Sequence, residues 1–174
     1  NAGKAWFYAG ARSVLSTTSI NDGNWHHIAC TFERDSSDPS FGNRIEIFID
    51  GVSENVNGRG STNAINFNLT PLYKQIAFPY VNTNYYAGNI DEVSAWDDLL
   101  SSSAITELYT NGPIDLNTNT GNYTSSSNLV AWYRMGEEGT FSGGTWTLTD
   151  QGSGGNNATS NNMEEADRKE NTPT

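Results

Sequence analysis

The only two histidines of the chain, His26 and His27, stand together in "GNWHHIACTF" (23–32), beside Trp25 and within reach of the only cysteine, Cys30. Two imidazoles could share a metal ion, and an imidazole beside a thiol could generate a nucleophilic thiolate. Strand geometry argues against both. Alternate residues of a strand face opposite sides, so Trp25, His27, Ala29 and Thr31 share one face and His26, Ile28, Cys30 and Phe32 the other. The histidines then diverge, and no third histidine or second cysteine exists to complete a site with either. His26 and Cys30 share a face, but four residues of strand separate them by roughly 13 Å. Beside Ile28 and Phe32, Cys30 reads as a small buried hydrophobe. The cluster therefore reads as a structural strand.

The elements around it are short strands and polar turns. The chain has 174 residues, 35% of them hydrophobic, enough for one compact domain. One cysteine excludes an internal disulfide and every cysteine-based zinc pattern. The net charge is −11 and the pI about 4.4, so a phosphate backbone is repelled, and nucleic acid is not expected as a partner. No apolar run reaches the roughly 18 to 20 residues that cross a bilayer, and no basic-then-apolar leader opens the sequence; no membrane role is expected, and any export signal lies outside it.

The clearest hairpin is "NRIEIFIDGVSENVNG" (43–58), in which Ile45, Ile47 and Ile49 alternate with Glu46, Phe48 and Asp50, and Asp50-Gly51 supplies a positive-φ turn before Val52 and Val56. Upstream, "KAWFYAG" and "SVLSTTSI" read as two strands, with Asn21 to Asn24 as the turn into the histidine stretch. Downstream, "AINFNLT", "YKQIAFPYV" and "YYAGNIDEVSAWD" are strand candidates, Pro79 marking an edge or an end. One helix is expected in "LLSSSAITELYTNG": the serines at 101 to 103 offer an N-cap, Ile105, Leu108 and Tyr109 share a face, and Gly112 stops it. Residues 113–127 show no periodicity and read as a connection. "NLVAWYRM" and "GTWTLTD" resume strand character, "QGSGGNNATSNN" is a glycine-asparagine loop, and 161–174 is a charged tail or linker.

In this order, "NDGNWHHIACTFE", "IEIFIDGV" and "GNIDEVSAWDDLLSSSAITELYTNG" resemble the concanavalin A-like jelly roll of laminin-G-like lectin domains. That family shows W-H-x-(V/I)-A-x-T, a hairpin ending I-D-G, and G-x-I-D-E-V running into a serine-capped helix ending L-Y. The resemblance spans Asn21 to Gly112. "NLVAWYRMGEEGT" and "LTDQGSGGNNAT" are similar to a segment that opens many members, whereas here it closes the chain; either the front strands lie in sequence outside this chain, or 128–159 supplies sandwich strands in a rearranged order. Such an ending, with a tail like "NNMEEADRKENTP", resembles domains of structural proteins of marine bacteriophages.

The resemblance implies an all-β fold, a two-sheet antiparallel jelly-roll sandwich with one short helix, over 1–160. Related jelly rolls include glucanases, whose retaining mechanism needs two carboxylates about 5 Å apart. The nearest approach here is Glu46 with Asp50, and the outward face of a hairpin explains both, so no enzyme is expected. Many lectin-like relatives carry a structural Ca²⁺ near the terminal strands; Asp91, Asp150 and Asn156 or Asn157 with loop carbonyls would be its ligands here, unless they only shape turns. A sugar platform would use Tyr85 and Tyr86 with Asn82 and Asn84, or Trp96 with Asp97 and Asp98. Trp6, Trp25 and Trp132 are assigned to the core. The function implied is a non-catalytic binding or structural module on a virion surface, with virion proteins or surface glycans as partners in a larger assembly. A secreted bacterial carbohydrate-binding or adhesion module is the alternative, placing the chain on a virion surface or outside the cell.

Overall fold

A computed structural model describes residues 3–9, 12–34, 43–55, 86–112, 114–160 and 162–168. The strand candidates at 64–70 and 73–81, with Val56, Pro79, Asn82, Asn84 and Tyr85, lie outside the described residues.

β1 (Lys4–Ala9) and β2 (Arg12–Ser19) form an antiparallel hairpin with Phe7 opposite Val14. β3 (Ile28–Arg34), β4 (Asn43–Ile49) and β5 (Val52–Asn55) form an antiparallel sheet in that order, pairing Cys30 with Ile47 and Phe32 with Ile45. Asp50 (φ 52°) and Gly51 (φ 74°) make the β4–β5 turn, the two positive φ values that a two-residue hairpin with right-twisted strands requires. The two sheets share a core of Val14, Ile45, Ile47 and Ile49, against which Ala5, Phe7, Ile20 and Phe32 pack. Each fully buried isoleucine contributes roughly 1.5–3 kcal/mol. Glu54 on β5 accepts the backbone N–H groups of Thr17 and Thr18, tying the sheet edges together.

Two sequence expectations are corrected here. Glu46 does not face water: it is 7% exposed, Phe48 beside it is 2% exposed, and the Ser53 hydroxyl donates to the Glu46 carboxylate. β4 is the central strand of its sheet and is covered on both faces, which alternation alone does not reveal. Cys30 is not buried but exposed, as is Ile28, because the core centres on β4 and thins toward β3, the outer strand among the described residues. The protein around the sulfur still desolvates it enough to push the thiol up to about 12, so it stays protonated and unreactive at neutral pH.

β6 (Val93–Trp96) is shorter than the sequence suggests and pairs antiparallel with β7 (Leu129–Tyr133). Between them runs α1 (Ser102–Thr110), capped by the Ser101 hydroxyl, which accepts from Ala104 N at 3.1 Å, and ended at Gly112 (φ 67°). α1 joins the two halves. Thr106 Oγ1 donates to Gly51 O at 2.8 Å, and Tyr109 lies so close that a Cβ on Gly51 would sit 3.1 Å from its ring. On its other side Leu108 packs into a second core of Leu116, Tyr123, Leu129 and Trp132, with Trp96, Leu100 and Ile114.

The connection 113–127 is therefore not a bare linker. Tyr123 is fully buried, donates its hydroxyl to Leu116 O at 2.7 Å and accepts the Trp96 indole N–H at 3.0 Å. Trp132 is core as expected, whereas Trp6 is half exposed. β8 (Gly139–Ser142), β9 (Thr145–Leu148) and β10 (Ala158–Thr159) form a fourth antiparallel sheet among the described residues, in the order β10-β9-β8. Of the charged end, 162–168 is placed against β9, the Trp146 indole donating to Glu164 O at 3.0 Å. Among the described residues no helix is long and apolar enough to cross a membrane. The described residues are mostly β, in antiparallel sheets with one α-helix, as a sandwich of this kind requires.

Candidate functional site

The histidine stretch precedes its strand: β3 starts at Ile28, so pleating does not orient 25–27. Carboxylates hold the His26 ring and the His27 backbone instead. His26 lies between two, Nδ1 at 2.8 Å from Asp50 Oδ2 and Nε2 at 3.0 Å from Asp22 Oδ1. The hydrogen bond to Asp50 raises His26 above its usual value, against a smaller opposing effect of desolvation. Asp22 is lowered to about 2, first by the backbone N–H of Asn24, then by the Asn24 side chain and His26. His27 turns toward α1, its ring 6.1 Å from Tyr109; burial lowers its pKa, and its Nδ1 has no hydrogen-bond partner among the described residues. Asp50 Oδ1 accepts the His27 backbone N–H at 2.9 Å, and Asp50 N donates to His27 O at 2.9 Å. The cluster is a clasp between β3 and the β4–β5 turn.

The residues expected to hold calcium fall into two places. Asp150 is buried, Oδ1 accepting from Trp132 N and Gly152 N and Oδ2 from Asn156 N, each at 2.9 Å. Asn157 Oδ1 accepts the N–H of Asp150 itself. A carboxylate has about four acceptor positions. With three taken by N–H donors, Asp150 keeps one position, on Oδ2, and ties the glycine-asparagine loop to β7. That loop lies along the β7 edge, with Gln151 N on Trp132 O at 2.8 Å and Ser153 N on Leu129 O at 3.0 Å. A Cβ on Gly152 would fall 2.7 Å from Ala131 N, so only glycine permits the approach.

Asp91 belongs to a different set. Its carboxylate lies with those of Glu92 and Glu137, one oxygen from each within 4.8 Å of the others. Burial raises Asp91, the Glu92 N–H at 2.9 Å opposes that, and the charges of Glu137 and Glu92 add to it. These hard oxygens could hold a divalent cation. However, Arg134 already stands among them, its Nε 3.2 Å from Glu92 and 3.6 Å from Glu137. Glu92 also accepts the Trp132 indole N–H at 2.6 Å, and its backbone is in the left-handed region (φ 51°). Glu92, Arg134 and Glu137 escaped sequence reading because Glu92 and Arg134 meet across 42 positions; only the i,i+3 spacing of Arg134 and Glu137 was visible.

Of the aromatic candidates, Tyr85 is outside the described residues. Tyr86 is 55% exposed, its hydroxyl on Asn89 O. Trp96 packs edge-on against Tyr123, ring centres 6.2 Å apart, so its ring is taken up by the second core. Beside that core opens a cleft of about 260 Å³, lined by Ile114, Asp115, Asn117, Trp132, Arg134, Glu138 and Gln151.

The model of the concanavalin A-like lectin/glucanases superfamily matches residues 1–106, more than half of the chain. No curated protein and no solved structure matches it. The matched span holds both sheets of the isoleucine core, β6 and the start of α1, and β7 from beyond it completes the β6 pair. The chain belongs to the concanavalin A-like lectin/glucanases superfamily.

Proposed function

We propose that the chain is a non-catalytic binding module that contacts glycans, displayed on a virion or other extracellular surface within a larger assembly. The commitment of its clustered carboxylates carries this reading: beside Asp91, Glu92 and Glu137 are paired with the Arg134 guanidinium at 3.2 and 3.6 Å, and the two hairpin acids are engaged as well. A retaining glucanase needs two acids about 5 Å apart and open to substrate. In this chain Glu46 is buried against the Ser53 hydroxyl, and Asp50 is spent on His26 and the His27 N–H. The family's binding role supports the rest, and Tyr86 offers an exposed ring at the surface. With a net charge of −11 the module favours neutral or basic partners over nucleic acid.

A glycan array probed with the full chain, with and without EDTA, tests this directly. Retention of one or more glycans is the expected result. Loss of that signal in EDTA shows that a divalent cation takes part, and its persistence in a Glu92→Gln, Glu137→Gln variant excludes the Asp91, Glu92 and Glu137 cluster as the cation's place. Silence on every glycan overturns the glycan-contacting reading, and release of reducing sugar from a β-glucan overturns the non-catalytic one.

A further inference from the structure

We propose that the cleft beside Trp132 is a binding site for one neutral sugar ring. At about 260 Å³ it falls below the roughly 300–1,000 Å³ of drug-sized pockets and suits a single-ring ligand. Ile114 and Trp132 give it apolar surface, while Asn117, Gln151, Glu138 and Arg134 give it polar walls. The side chains of Asn117, Gln151 and Glu138 have no hydrogen-bond partner among the described residues. Their backbones are nonetheless held. Asp115 accepts from Asn117 N and from Thr118 Oγ1, both at 3.0 Å, and the Gln151 N–H is fixed to Trp132 O at 2.8 Å. The backbone of two wall residues is thus set in place before any ligand arrives, so binding has only their side chains to order.

The lining selects the ligand class. Two amides both donate and accept, Glu138 only accepts and Arg134 only donates. An anion would meet Asp115 and Glu138. A cation would meet the Arg134 guanidinium, which already occupies the cation position 5.5 Å from the Trp132 ring centre. Hydroxyl groups around a small ring satisfy every member, since each both donates and accepts. The described lining of the cleft runs from Ile114 to Gln151, past the span that matches the family model. This inference rests on the glycan-contacting reading and gives it a location.

The test titrates methyl glycosides of glucose, galactose, mannose and N-acetylglucosamine into the full chain, with glucuronate and glucosamine as charged controls, and follows side-chain amide NMR signals. At least one neutral glycoside is expected to move the Asn117 and Gln151 signals. Asn117→Ala with Gln151→Ala should weaken it by about tenfold or more, with circular dichroism unchanged because neither residue belongs to either hydrophobic core. If the parent chain retains glycans on the array but the double variant does so equally well, or if no neutral glycoside moves these signals, the cleft is not the site while the glycan-contacting function stands. If the array is silent as well, both fail. Equal binding of glucuronate or glucosamine overturns the assignment to a neutral ligand.

Discussion

Replacing Asp150 separates an anchor from a calcium ligand. Asp150→Ala removes the acceptor of three backbone N–H groups, those of Trp132, Gly152 and Asn156, each at 2.9 Å. The Trp132 donor lies in a buried strand residue and is left unpaired at about 1–3 kcal/mol, while the more exposed Gly152 and Asn156 donors can turn to water and lose about 0.5–1 kcal/mol each. The sum is about 3 kcal/mol, a large share of the roughly 5–15 kcal/mol that holds a domain. Asp150→Asn keeps one acceptor oxygen and turns the other into a donor, so about half that loss is expected. Urea unfolding of parent and variants, each in calcium and in EDTA, gives both numbers from midpoints at constant slope. An anchor predicts the same ranking and the same losses in both buffers. A ligand predicts that calcium at about 100 times its Kd stabilises the parent by about 2.7 kcal/mol and neither variant. That second outcome, or an Asp150→Ala loss under about 0.5 kcal/mol, refutes the anchor.

The two histidines should give pH dependences of opposite sign. His26 is held above its usual value, so its contribution is complete below about 6.5 and is lost as pH rises through the folded value; His27 is held below, so its contribution is lost as pH falls from about 6.5 through its folded value. Thermal midpoints between about pH 5 and 8 should therefore rise with pH in His26→Gln and fall with pH in His27→Gln, and slopes of one sign in both would sink the assignment. Gly51→Ala combines a positive φ with a Cβ 3.1 Å from Tyr109 and 3.2 Å from Thr106 Cα, and should cost about 2 kcal/mol or more in urea unfolding. Gly112→Ala has a similar φ and nothing within 4 Å of the added carbon, so about 1 kcal/mol is expected; equal losses would show that the helix does not press on the turn.

What could be read from the sequence is what local chemistry determines. The Asp50-Gly51 turn needs positive φ and the isoleucines beside it need a core, so the hairpin followed from a dozen neighbouring residues. The Ser101 cap and Gly112 stop fixed α1 in the same way. Burial that depends on distant partners did not show. Tyr123 sits in a run of Asn, Thr and Ser that advertises a loop, and only its meeting with Trp96 and Leu116 makes it the most buried aromatic side chain among the described residues. Glu46 and Cys30 reverse their expected exposures because alternation assigns a face but not what lies over it. The site follows the same rule. Asp150 stood out as an acid in a glycine loop, yet its role is set by N–H groups of its own loop and of β7, eighteen residues earlier. The cleft draws its walls from the 113–127 connection, β7, the turn that follows β7 and that loop, four segments with no common sequence signal. Such a pocket arises where loops are pinned against a packed tryptophan, and the pinning residues, Asp115 and Asp150, are the acids that sequence alone would give to turns or to a metal.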